Sequence, residues 1–182
     1  LLGICGGAVF ASPRAGAALY LIHAASALFT GILLTRRLPP LSAPFSAGAA
    51  PRRSVSLSAA LPAAVQGALA GILNVCAFVV FFTVCTRLLL RALPESFAFS
   101  LPCALLIGFF ELTSGVTALP PTRAGFLACA ALLAWGGLSV HCQTLSALSA
   151  SALSARYYLR AKAAQALLSV ILSLPALPFL FP

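Results

Sequence analysis

Acidic residues are almost missing from this chain. Its 182 residues include two, Glu95 and Glu111, no aspartate, and only 7% charged residues of either sign. A soluble domain carries roughly 25%. Two carboxylates cannot build a two-metal site. With 62% hydrophobic residues and a mean hydropathy of +1.09, lipid is the solvent for most of the chain. Methionine is absent altogether, including at position 1, and the chain opens inside an apolar run over residues 1–11. A removed signal peptide would account for the first observation but not for an opening half-helix. The expectation is a fragment whose upstream segment is missing. No C-x-x-C spacing occurs among the six cysteines (Cys5, Cys76, Cys85, Cys103, Cys129, Cys142). All lie in apolar runs, where a thiol packs as a small hydrophobe. There is no G-x-S-x-G, no H-E-x-x-H and no Gly-rich phosphate loop. These absences argue against an enzyme, a metal site or a cofactor.

What the chain does have is long charge-free runs separated by basic residues. Such runs lie between Arg14 and Arg36, between Arg53 and Arg87, between Arg123 and Arg156, and after Lys162. A bilayer core about 30 Å thick needs about 20 apolar residues per helix. The net charge of +9 therefore reads as positive-inside topology, not as a nucleic-acid face. Residues 1–37 give the second half of a helix cut off at the fragment boundary and one span holding His23. Residues 38–58 form a Pro/Arg-rich linker, placed in the cytoplasm by Arg52 and Arg53 within it and Arg36 and Arg37 just before it. Residues 59–182 form the rest of the membrane domain. Within it, Gln66 and Asn74 of the next span lie about 80° apart around a helix and serve either interhelical hydrogen bonding or solute contact.

Residues 97–121 are either a full span or a re-entrant hairpin, opened by Pro102 and closed by Pro120 and Pro121. Charge counting separates the two. A hairpin leaves Arg36, Arg37, Arg52, Arg53, Arg156, Arg160 and Lys162 inside, against Arg14, Arg87, Arg91 and Arg123 outside. A full span evens the balance, so the hairpin fits better. Residues 124–155 then form a helix broken at Gly136-Gly137, since glycine inside a helix costs about 1 kcal/mol against alanine.

Function concentrates in two polar interruptions of apolar sequence, GFFELTSGV (108–116) and WGGLSVHCQTLS (135–146). Polar backbone at membrane depth is tolerated where it lines protein or a water-filled cavity. A carboxylate there costs about 3 kcal/mol or more unless it pairs, protonates or coordinates. Glu111, Thr113 and Ser114 with Gly115 form the first cluster. Arg123, His141 and a bound cation are the partners on offer. Ser139, His141 and Gln143 form the second. All three reach one cavity if the backbone unwinds; if it stays helical, His141 faces away from the other two. Half-helix N-termini at both breaks would favour an anionic solute. The plainer alternative is a bundle in which Glu111 pairs with Arg123 at a helix end.

The strings E-L-T-S-G and G-G-L-S-V-H-x-Q, with the opening GICGGAVFASPRAGAALYLIH, closely resemble the YlbJ (SpoVV) family of sporulation integral membrane proteins, of the nucleoside recognition (Gate) domain group. The positions that match are Glu111, Thr113, Gly115, Gly136, Gly137, Ser139, His141 and Gln143. The resemblance implies an all-α polytopic membrane protein with broken helices, half of an inverted-repeat, transporter-like fold, in which residues 1–37 hold the end of a truncated upstream repeat and residues 59–182 form the second repeat. It also implies transport of a small anionic solute such as dipicolinic acid across the outer forespore membrane, which is derived from the bacterial cell membrane of the mother cell. The implied partners are the lipid bilayer, that solute, a coupling cation or proton, and the missing N-terminal repeat. A nucleoside or other small-metabolite carrier of the same architecture is the first alternative. A non-transporting scaffold of a sporulation membrane complex is the second.

Overall fold

The computed structural model describes residues 2–36, 56–98, 100–148 and 154–181. Among them every regular element is helical. An eight-residue π-helix, Leu2–Val9, leads into α1 (Pro13–Thr35), whose start is set by Ser12 accepting the N–H of Ala15 and by Pro13 in the first turn. Helix α2 (Leu57–Arg91) is 35 residues long and runs through Pro62. That proline sits in the second turn, where its missing N–H forfeits a single bond. Then follow α3 (Glu95–Ala98), α4 (Leu101–Phe110), α5 (Leu112–Thr117), α6 (Arg123–Trp135), α7 (Gly137–Leu148) and α8 (Ala155–Ser173). A 3-10 turn, Leu174–Ala176, carries α8 into α9 (Leu177–Leu180). The proline-rich end thus keeps its helical course with tighter winding. Most of the expected 38–58 linker lies outside the described residues.

Four stretches are long and apolar enough to cross a membrane: Pro13–Thr35, Leu57–Arg91, Arg123–Leu148 and Ala155–Leu180. The distribution of side chains agrees. Leu21, Leu28, Phe29, Val65, Ile72, Val80 and Leu167 face outward, while Ser26, Thr30, Glu111, Ser139, His141, Gln165, Ser169 and Ser173 are buried. A water-soluble domain buries the first kind and exposes the second. The inversion is what lipid selects, because tails are as apolar as leucine and helices associate through small and polar contacts. The chain is accordingly an all-helical protein with the features of an integral membrane protein.

The core is built on α6, which packs against α8 and α1. Phe126 is fully buried and meets Phe10 and Phe181 edge-on, tying the N-terminal segment and the C-terminal end to α6. Ser169 of α8 donates to the carbonyl of Ala130 in α6 at 3.1 Å. Gln165, Ser169 and Ser173 recur every four residues and form the buried face of α8. Helix α2 is the most exposed span and touches the remainder mainly through α7. Gln66 faces outward and Asn74 is half-buried, so the two do not share one bundle-facing stripe.

Candidate functional site

Both sequence-inferred breaks are present, and they meet. The first is one residue long. Glu111 adopts extended backbone, φ −134° and ψ 114°, ending α4 and starting α5. Helix α5 then folds back against α4. The reversal brings Gly115 onto the backbone of Gly108, so closely that a Cβ on Gly115 would overlap the Gly108 Cα. The second break uses two left-handed residues, Gly136 (φ 97°) and Gly137 (φ 74°). Only glycine adopts that geometry freely, and Gly136 closes α6 by donating its N–H to the Leu132 carbonyl at 2.8 Å. A Cβ built on Gly137 would lie 3.1 Å from both the Gly108 carbonyl oxygen and the Leu112 nitrogen, and 3.5 Å from the Phe110 carbonyl oxygen.

The contact has an electrostatic sense. The last carbonyls of α4 carry partial negative charge, and the first amides of α7 carry partial positive charge. The start of α7 therefore abuts protein carbonyls. At the start of α5 the carboxylate of Glu111 accepts the N–H of Thr113 at 2.9 Å and of Ser114 at 2.7 Å. Glu111 is 4% exposed and satisfies the orphan amides of its own helix. Arg123 does not reach it. The Arg123 guanidinium donates to the Phe181 carbonyl instead and holds the C-terminal end against α6. Thr113 points outward and Ser114 is half-buried, so the first cluster does not converge beyond the cap itself.

Through residues 139–143 the backbone of α7 is helical, so the unwound arrangement does not hold. Gln143 donates to the Ser139 hydroxyl at 3.2 Å, one turn away. His141 lies on the other side, 2% exposed, with Nδ1 3.0 Å from the Tyr158 hydroxyl of α8. Its ring meets Trp135 edge-on at 4.4 Å between centroids and Tyr158 at 5.5 Å. Trp135 in turn stacks on Phe109 of α4.

Around His141 stand residues the sequence reading had not joined to it. Lys162, counted there only in the charge balance, extends along α8 so that its side chain passes the Gly136 break: a Cβ on Gly136 would be 3.9 Å from Lys162 Cε. The signal that could have found it is periodicity. Tyr158 and Lys162 fall on the helical face of Gln165, Ser169 and Ser173, which is the buried one. Lys162 is also the chain's single lysine. All described cysteines are free thiols, with Cys5, Cys103 and Cys129 buried and Cys76 exposed. Among the described residues no cluster of His, Cys, Asp or Glu could hold a metal. No protein family, curated protein or solved structure matches this chain.

Proposed function

We propose that this protein is part of a membrane carrier for a small anionic solute. One observation carries the reading. The interruptions in α4–α5 and α6–α7 are packed directly on one another, Gly137 against Gly108, within a chain that has four membrane-length apolar stretches. Paired helix discontinuities at bilayer depth are how carriers place backbone and polar side chains around a solute. In this reading α4 and α5 are a re-entrant hairpin, α6–α7 is the broken span, and the two belong to one repeat of an inverted pair. The resemblance to the YlbJ family supplies the rest of the proposal: dipicolinate as solute, the membrane around the forespore as setting, and a second repeat upstream as partner.

The test is uptake of radiolabelled dipicolinate into liposomes holding the protein, with a nucleoside as competitor. Accumulation that dipicolinate blocks and the nucleoside does not supports the proposal. Uptake of the nucleoside alone selects the nucleoside carrier. A folded, reconstituted protein that moves neither overturns the carrier reading. A non-transporting scaffold is favoured by one specific observation, the use of both Glu111 oxygens as a helix cap. It would give that last result.

A further inference from the structure

Three buried side-chain nitrogens among the described residues have no hydrogen-bond partner: His23 Nδ1, Trp135 Nε1 and His141 Nε2. They come from three helices, α1, α6 and α7, and from distant parts of the sequence. Two of them, Trp135 and His141, flank one place. Trp135 is the last residue before the α6–α7 break, His141 packs on Trp135, and Lys162 Cε lies 3.9 Å from where a Cβ on Gly136 would stand. Lys162 lies roughly 10 Å along α8 from the helix start, at about 1.5 Å per residue. Its ammonium has a hydrogen bond to Gln165 Oε1 at 3.3 Å, a neutral partner. Glu111 cannot neutralise it, because that carboxylate caps α5.

We propose that the polar face of α8 and the α6–α7 break together form a binding site for a carboxylate-bearing anion, with Lys162 as its counter-charge and Trp135 Nε1 and His141 Nε2 as donors. The inference rests on the carrier reading above and gives its solute a place. The chemistry follows from the donor set. An indole N–H donates only, and an ammonium donates only. The site takes His141 as the tautomer with its proton on Nε2, the Tyr158 hydroxyl donating to Nδ1 at 3.0 Å, so that Nε2 donates as well. Three donors and one positive charge, with no carboxylate opposite, match an anionic oxygen pair far better than a cation or a neutral sugar. Gly136 leaves the Lys162 side chain without a Cβ beside it. The amides that begin α5 and α7 face protein groups, so the charge that selects the anion comes from α8.

Trp135 is the only tryptophan, so its fluorescence reports the site directly. The purified chain in lipid nanodiscs is titrated with dipicolinate, with its neutral diamide and with inorganic phosphate. Binding is also measured by equilibrium dialysis. Dipicolinate is expected to change Trp135 emission saturably, and the diamide is not. Lys162→Met is expected to weaken dipicolinate binding about tenfold or more, as loss of a charge-assisted bond does, while Lys162→Arg retains it. The arginine variant guards against misreading a folding defect, since it keeps the charge in the same packing. Equal affinity in the wild type and both variants overturns the assignment, even where uptake is intact and the carrier reading survives. Saturable carboxylate binding lost in Lys162→Met, in a protein that transports nothing, upholds the site and removes the carrier. Phosphate binding as tightly as dipicolinate overturns the carboxylate class.

Discussion

Gly137 packs against the carbonyl oxygen of Gly108, and through that contact the two helix interruptions of this protein support each other. The geometry makes the two glycines of the second break unequal. A methyl group on Gly137 would meet backbone atoms of Gly108 and Leu112 at 3.1 Å, and backbone cannot swing aside. A methyl group on Gly136 would meet only the Val140 side chain, at 3.6 Å or more, and Lys162 Cε at 3.9 Å. Both positions carry positive φ, which costs an L-residue about 1–2 kcal/mol. Gly136→Ala is therefore expected to lose about that much. Gly137→Ala is expected to lose more, by a further 1–3 kcal/mol or so from overpacking. Unfolding of each variant in mild detergent, followed by circular dichroism, measures the difference. Equal losses would mean that the two breaks are not in firm contact.

The fold-back of α5 on α4 depends in the same way on Gly115. An added Cβ there coincides with the Gly108 backbone, while Gly67 and Gly71 of α2 have nothing within 4 Å of an added Cβ. Gly115→Ala is expected to prevent the hairpin from closing, seen as lower yield of monodisperse protein and a lower unfolding midpoint. Gly67→Ala in the exposed helix is expected to be neutral or to stabilise by as much as ~1 kcal/mol, because alanine restricts the unfolded chain and favours helix. The pair uses the same substitution and the same host, so the contrast isolates contact from propensity.

These contacts explain what could be read from the chain beforehand. Both interruptions were legible because Glu111 and Gly136-Gly137 are costly inside apolar helix, and cost leaves a compositional mark. The four membrane-length stretches were legible for the same reason. Three things were not. Whether α7 unwinds could not be settled from Ser139, His141 and Gln143, since both conformations suit those residues; tertiary contact with Tyr158 and Trp135 accompanies the helical one. The partner of Arg123 could not be found, because a backbone carbonyl such as that of Phe181 carries no sequence signature. Lys162 could not be joined to His141, because Arg156, Tyr157, Tyr158 and Arg160 beside it read as a run of bases and aromatics at the end of a span. Its inward direction shows only when the helical phase of Gln165, Ser169 and Ser173 is extended back by one turn.

Ser169 offers a test of how the spans are held together. Its hydroxyl donates to the Ala130 carbonyl across the α6–α8 contact, and it is 1% exposed. Hydrogen bonds between helices in lipid contribute about 0.6–2 kcal/mol. Ser169→Ala keeps the small volume and removes the bond, so a loss near 1 kcal/mol is expected in a bilayer or bicelle. Ser169→Leu is expected to cost far more, since the added volume must enter the face that packs on α6. A Ser169→Ala loss above ~3 kcal/mol would show that the serine does more than bridge two helices.

Glu111 gives the sharpest division between structural and transport roles. Its two carboxylate oxygens each accept one amide, Thr113 and Ser114, so Glu111→Gln keeps one acceptor and turns the other into a donor facing an N–H. One buried amide is then unsatisfied, and a loss of about 1–3 kcal/mol in stability is expected. Glu111→Ala removes both acceptors and is expected to lose more. If capping is the whole role, transport measured per folded molecule should be close to wild type in Glu111→Gln, with stability alone reduced. If the carboxylate also takes up a proton or a cation during the cycle, Glu111→Gln should lose concentrative uptake while retaining exchange of solute across the membrane, because exchange needs no coupling ion. Unfolding midpoint and the ratio of uptake to exchange, measured on the same preparation, separate the two. The geometry predicts the first outcome: a carboxylate held by two amides at 2.7 and 2.9 Å is strongly committed to its ionised, capping form.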